Sequence, residues 1–329
     1  MKLSLMIPTF NSAATIERTL RSALAQRHRP LELLVYDEAS DDGTREIVER
    51  LLADAPADDL DARLMTSDTN SGPVCAWRVL LHAISGQWCC FVWADDVLEE
   101  RFSTELMAAA ERAAREGRKL VSCSAEVESD GRVLDIFGHD RGLASAVEFS
   151  EGMFLRRFPL TQICRLYETE AARDVFDRHI EIENPLGFDY ARYPYGNDVG
   201  FLSELAMEGN GVELLGEKLV RLVDSQSSMT RRGRSHLWQM RWQYTYAFYR
   251  VWEWWRKRGV TGADRLHAMA DRRLAFCSIM LRAGKGRWSL RNVAKALGGY
   301  VDYRRWDYQK SATTLEEHRA ALATRISQT

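Results

Sequence analysis

Short apolar runs and amphipathic stretches follow one another in strict turn along the first 115 residues, a pattern that predicts strands alternating with helices. Lys2 to Ile7 reads as a strand ending in Pro8-Thr9-Phe10-Asn11. Ser12 is then placed to cap a helix whose Ile16, Leu20 and Leu24 share one face. A second strand, Leu31 to Tyr36, ends in Asp37-Glu38-Ala39-Ser40-Asp41-Asp42-Gly43-Thr44, ahead of a helix carrying Ile47, Val48, Leu51 and Leu52. Arg63 to Thr66 predicts a short third strand. After it comes Asn70-Ser71-Gly72-Pro73, whose Gly lets backbone approach a ligand and whose Pro suits the first turn of a helix running through Ile84. The fourth unit is the most informative. Gln87 to Val92 is apolar enough to be buried on both faces of a parallel sheet, and the chain then turns through Trp93 and Ala94 onto two adjacent carboxylates, Asp95 and Asp96. Four such units predict an α/β sheet with helices on both faces, which binds ligands at the carboxyl ends of its strands.

Beyond Glu116 the pattern changes. Lys119 to Val127 and Arg132 to Phe137, joined at Asp130-Gly131, predict a hairpin that adds antiparallel strands. Phe158 to Tyr167 reads as a further apolar strand, and a helix begins at Thr169. The stretch from Glu183 to Asn197 holds Pro185, Gly187, Pro194 and Gly196 and cannot be regular, and loops of that length are usually functional. It runs into Asn197-Asp198 and a helix with Phe201, Leu202 and Leu205 on one face. Lys218 to Val223 is a last strand. From Arg231 the chain turns helical, basic and aromatic. Trp238, Trp242, Tyr246, Tyr249 and Trp252 lie on one face, Met240, Tyr244, Phe248, Val251 and Trp255 on a second, and a narrow polar strip holds Gln239, Gln243, Arg250 and Lys257. Such a helix needs cover on two sides. The helix around Leu274 to Leu281, a dimer partner or a lipid surface would each supply it.

Composition narrows the function. The 329 residues carry a formal charge of −2, so a general nucleic-acid binder is not expected and no nucleic-acid partner is assigned. Six cysteines, several inside apolar runs and none in paired metal spacing, read as reduced core residues. No apolar run reaches about 18 residues and the start does not read as a signal peptide, so the expected location is cytoplasmic, with peripheral contact at the inner face of the membrane through the C-terminal helices left open. No G-x-G-x-x-G follows the first strand and there is no Walker loop, which argues against a dehydrogenase or a P-loop enzyme. What remains is a set of strand-end acids able to bind a divalent cation and nucleotide hydroxyls.

Taken in order, Ile7-Pro8-Thr9-Phe10-Asn11, Tyr36-Asp37 through Gly43-Thr44, Asn70-Ser71-Gly72, Gly86-Gln87-Trp88 and Ala94-Asp95-Asp96 resemble the motifs of the inverting family 2 nucleotide-sugar glycosyltransferases, across roughly residues 1 to 230. The resemblance implies a GT-A mixed α/β sheet with flanking helices (1–116 nucleotide-binding half, 117–230 acceptor half) and a C-terminal helical extension (231–329). It also implies that Asp37 accepts from the nucleobase, with uracil expected, and that Pro8 and Phe10 frame that base. Asn11, Gly72 and Arg78 join them at the nucleotide. Asp95 meets the ribose, and Asp96 with Asp95 binds Mn²⁺ or Mg²⁺ on the diphosphate. Asp198 is implied as the catalytic base on the acceptor hydroxyl. The implied partners are a nucleoside-diphosphate sugar and a saccharide or lipid-linked acceptor. The chain departs from the family pattern at Glu38, at Ala39, at Trp93, which stands where many members have an acid, and at Trp77, which displaces the expected basic residue to Arg78. A late His is also absent before Thr230. Two other classes compete: a sugar nucleotidyltransferase, which would want a Gly-rich basic loop after the first strand, and an inactive relative serving as a saccharide-binding or assembly subunit.

Overall fold

The computed structural model describes residues 1–55, 59–129, 131–179, 194–224 and 237–281. The four predicted units are present: β1 (Leu3–Thr9), α1 (Ile16–Leu24), β2 (Leu31–Glu38), α2 (Thr44–Ala53), β3 (Leu60–Ser67), α3 (Pro73–Ala83), β4 (Trp88–Phe91), a two-residue β5 (Val97–Leu98) and α4 (Phe102–Arg115). Then follow β6 (Leu120–Ser129), β7 (Arg132–Phe137), β8 (Gly142–Ala144), α5 (Ala146–Phe154), β9 (Arg165–Glu168), α6 (Thr169–His179), α7 (Asn197–Glu208), β10 (Val212–Val223), α8 (Leu237–Lys257) and α9 (Asp264–Leu281).

The sheet runs β3-β2-β1-β4-β9-β6-β10-β5, with β7 beside β6 and β8 beside β10. β3, β2, β1 and β4 are mutually parallel, while β9 pairs antiparallel with both β4 and β6. Strand order therefore reverses at β1 and β4, the place where an open sheet opens a crevice for ligand. Alternation builds a core on each face. Leu3, Leu5, Ile7, Trp88, Cys90 and Val92 enter one cluster with α1, α2 and α4. Met6, Leu34, Cys89 and Phe91 enter the other with α3, α5, α6 and α7.

Three expectations on element ends and one on burial need correction. Ser12 does not cap α1 with its side chain. Its carbonyl accepts from the Thr15 and Ile16 amides, and the helix starts at Ile16. β3 is twice as long as expected, since alternation in its exposed residues hid an edge strand. The strand expected over Phe158 to Tyr167 is confined to Arg165–Glu168, because the buried Arg165 guanidinium takes the carbonyls of Pro159 and Thr161 and so removes them from any ladder. Gln243, assigned to a polar strip, is buried. The irregular stretch from Glu183 falls largely outside the described residues, as do Ser225 to Thr230 and Gly284 to Arg287.

The first aromatic face of α8 is covered by α9. Trp238 meets Phe276 edge-on, Trp242 donates to Ser278 Oγ at 3.0 Å, and Trp252 stacks on His267. Its second face docks on α7. Trp255, fully buried, donates its indole N–H to Glu204 Oε1 at 2.8 Å, and Arg258 reaches the same carboxylate at 2.6 Å. Gly196, at φ +96°, opens α7 so close to α8 that a Cβ there would lie 2.9 Å from that of Ala247. No helix among the described residues is long and apolar enough to cross a membrane. Because Glu204 is wholly buried and anchors two donors, Glu204→Ala is expected to cost about 2 to 3 kcal/mol; urea unfolding measures it, and an unchanged midpoint would contradict the anchor.

Candidate active site

The loops after β1 and β2 are knitted by side chains that replace the missing ladder. Asn11, at φ +48°, receives the Asp41 amide on Oδ1 at 3.0 Å and donates its own amide to Ser40 Oγ at 2.9 Å. The Ser40 hydroxyl and amide both go to the Asp37 carboxylate. Asp37 is thus buried and satisfied on each oxygen once, which leaves one lone pair per oxygen for a further donor. Pro8 sits opposite Tyr36 in register, and Phe10 stands out at 42% exposure, a large apolar ring left uncovered beside this floor. Ala39 holds φ +58°, a left-handed position that costs a Cβ-bearing residue about 1 kcal/mol or more, so the backbone here has the shape glycine would favour. The Glu38 side chain receives the Ser71 amide at 3.2 Å and thereby ties the Asn70–Gly72 loop to the end of β2; burial, with Asp37 beside it, raises its carboxyl above the usual range.

The acid turn after β4 is pinned from both sides. Arg18 and Thr19 of α1 donate to the carbonyls of Asp95 and Asp96 at 3.1 and 2.7 Å, and the Val223 amide donates to Asp96 Oδ1 at 2.8 Å. Asp96 is buried, and burial followed by the Asp95 charge pushes its carboxyl well above the usual range, while the Val223 amide and Arg18 pull the other way. Two carboxylates that resist ionising together suit a cation between them. No cluster of three or more His, Cys, Asp or Glu able to hold a metal occurs among the described residues. The pair nevertheless fits Mn²⁺ or Mg²⁺ of the kind completed by substrate phosphates and water, since all its donors are hard oxygens.

Asp198 lies half-buried in the first turn of α7, its Oδ1 accepting from Gln162 Nε2 at 2.7 Å. Burial raises its carboxyl from 3.8 to about 6, against the pull of the Gln162 hydrogen bond and the Arg165 charge. Asn197 beside it is fully buried. Arg78 is drawn toward α6 instead, 3.7 Å from Asp177 and over the Phe176 ring. Sequence reasoning missed Gln162, Thr161 and Arg165, although a charged residue inside an apolar run at Arg165 was the available signal. Trp93, noted as a departure, packs against both Trp77 and Phe91 and donates its indole N–H to Thr161 Oγ1 at 2.9 Å.

The Asp198 shift has a stability consequence. The folded carboxyl holds its proton to about pH 6, whereas the unfolded one releases it near 3.8, so stability falls as pH rises from about 4 to beyond 6. Asp198→Asn is expected to be more stable than the parent at pH 8, by up to about 3 kcal/mol, with the gap closing at pH 4. Urea unfolding at the two pH values checks it, and equal stability at pH 8 would contradict it.

Residues 4–165 match the family model for glycosyl transferase family 2. The GalNAc(5)-diNAcBac-PP-undecaprenol beta-1,3-glucosyltransferase of Campylobacter jejuni is 30% identical over 154 residues, 47% of this chain and 47% of that one, so the chain spans about half of that relative's length. Among solved structures, S. aureus TarS 1-349 in complex with UDP-GlcNAc superposes at TM-score 0.58 with 16% identity, covering 93% of this chain and 81% of that one. The mannosyltransferase PcManGT from Pyrobaculum calidifontis, in complex with GDP-Man and Mn²⁺, gives TM-score 0.53 and 19% identity, covering 94% and 84%. With the strand-end motifs in place, the segment from residue 4 to residue 165 matches glycosyl transferase family 2, and the chain has a GT-A fold.

Proposed function

We propose that the chain is an inverting, metal-dependent glycosyltransferase that moves a sugar from a nucleoside diphosphate, UDP in this reading, to a hydroxyl of a saccharide or lipid-linked saccharide in surface polysaccharide synthesis. One observation carries it: an acid turn at the reversal point of the sheet is joined, through one short loop, to a single carboxyl that titrates near neutrality. The relative named for a PP-undecaprenol glucosyltransferase and the neighbours bound to UDP-GlcNAc or to GDP-Man with Mn²⁺ support the same chemistry. Action on a lipid-linked acceptor would place the chain at the inner face of a membrane, without a span of its own.

In this reading Pro8, Phe10, Asn11 and Asp37 hold the nucleoside, Gly72 lets the chain close on it, and Asp95 takes a ribose hydroxyl. Asp96 and Asp95 would hold a Mn²⁺ or Mg²⁺, which when bound would supply Lewis-acid neutralisation of the departing diphosphate. Asp198 takes the proton of the attacking hydroxyl on Oδ2, since Oδ1 already accepts from Gln162. A carboxyl near 6 is ionised at neutral pH yet more basic than an ordinary aspartate, which is what general-base catalysis asks of it.

Thermal unfolding with UDP, GDP, UDP-GlcNAc, UDP-glucose and GDP-mannose, each with and without Mn²⁺, tests the donor. The expected result is a rise with UDP or a UDP-sugar that requires Mn²⁺. Asp198→Asn is expected to keep that rise and lose nucleotide release by about a thousandfold or more. No metal-dependent rise with any of the five, or turnover retained in the variant, would overturn the reading.

A further inference from the structure

The loop between α5 and β9 meets Trp93, two residues before Asp95, at one residue and Asp198 at the next. Thr161 and Gln162 are neighbours in that loop, and their side chains go opposite ways. Thr161 Oγ1 accepts from Trp93, two residues before Asp95, while Gln162 Nε2 donates to Asp198. The loop is held from behind. Arg165, fully buried, donates to the carbonyls of Pro159 and Thr161 and lies over the Phe149 ring, and the Tyr167 hydroxyl donates to the Gln162 carbonyl at 2.6 Å. Trp93 in turn is fixed by Phe91, nearly parallel at 5.9 Å, and by Trp77 at 5.4 Å. We infer that Trp93, Thr161 and Gln162 form a crossbar of positioning residues that sets the separation and orientation of the donor-side acids relative to Asp198. This rests on the reading of Asp198 as the base.

The chemistry of each end argues for position rather than packing alone. Gln162 is wholly buried, and its Oε1 has no partner among the described residues, while its amide N–H₂ is aimed at the carboxylate. Trp93 spends its one polar atom on the loop while its ring is held by Trp77 and Phe91. Among the described residues, the charged and titratable groups facing Asp198 are Arg165, which favours its ionised form, and Tyr167, itself buried and protonated well beyond the usual range. Losing the Gln162 donor leaves burial less opposed, so the carboxyl should titrate higher.

The direct test needs no substrate. In full-length protein labelled with ¹³C-carboxyl aspartate, the Asp198 resonance, assigned by its loss in Asp198→Asn, is expected to titrate near 6 and to move to higher pH in Gln162→Met, which keeps the volume and removes the donor. An unmoved midpoint overturns the role of Gln162. If that variant does not fold, Gln162→Glu keeps the shape and is expected to shift the midpoint further upward. Thr161→Val and Trp93→Phe address the other end, read by nucleotide release from the sugar nucleotide that gives the Mn²⁺-dependent stabilisation. Each is expected to lower kcat about tenfold with the donor KM within about twofold, and the double variant to be no worse than either single one, as a shared contact requires. Fully additive losses, or a change in KM alone, overturn the crossbar. If Asp198→Asn kept turnover while the Gln162→Met midpoint still moved, the base assignment would fall and the contact would stand. If Asp198→Asn were dead and the midpoint unmoved, only the crossbar would fall.

Discussion

The guanidinium of Arg165 is the constraint on which the cleft depends. It is fully buried, and desolvation lowers its pKa from the ordinary value, so its charge must be met locally. Two backbone carbonyls, the face of Phe149 and the nearby Asp198 charge meet it. In doing so it keeps Pro159 and Thr161 off any ladder, in the loop whose Thr161 meets Trp93, two residues before Asp95, and whose Gln162 meets Asp198 in the first turn of α7. Arg165 and Asp198 thus help to keep each other charged in a place that favours neither.

The rest of the fold supplies walls for that arrangement. β1 and β4 bring Pro8–Asn11 and the acid turn to the same crevice because their order reverses there, and α1 and β10 hold the turn by its carbonyls and by one carboxylate oxygen. On the far side α8 presses against Gly196, two residues before Asp198, and is locked to α7 by Glu204 with Trp255 and Arg258. The aromatic helix that reads in sequence as a candidate surface for lipid or a second subunit spends its buried face on the helix that carries Asp198. Its other face goes to α9.

The strand-helix units were legible because their apolar spacing differs between the two elements, and the acid-bearing strand ends followed from where the runs stop. Asp198 was legible only through its place after an irregular stretch and the family resemblance; its titration near neutrality depends on burial that no local pattern encodes. The crossbar was not legible at all. Thr161, Gln162 and Arg165 sit in a run whose apolarity argues for a strand, and only the capture of its own carbonyls by Arg165 turns that run into a loop. Ser12 misled because its hydroxyl turns back to donate to the Phe10 carbonyl instead of accepting from the helix that follows.

The account is tested most directly by a crystal structure with UDP and Mn²⁺ bound, using the anomalous signal to place the metal. It predicts Mn²⁺ between the diphosphate and the carboxylates of Asp95 and Asp96, the uracil beside Asp37 and Phe10, and Asp198 facing the end of the diphosphate from across the cleft. A nucleotide bound away from the β1 and β4 crevice, or metal held by other groups, would contradict it.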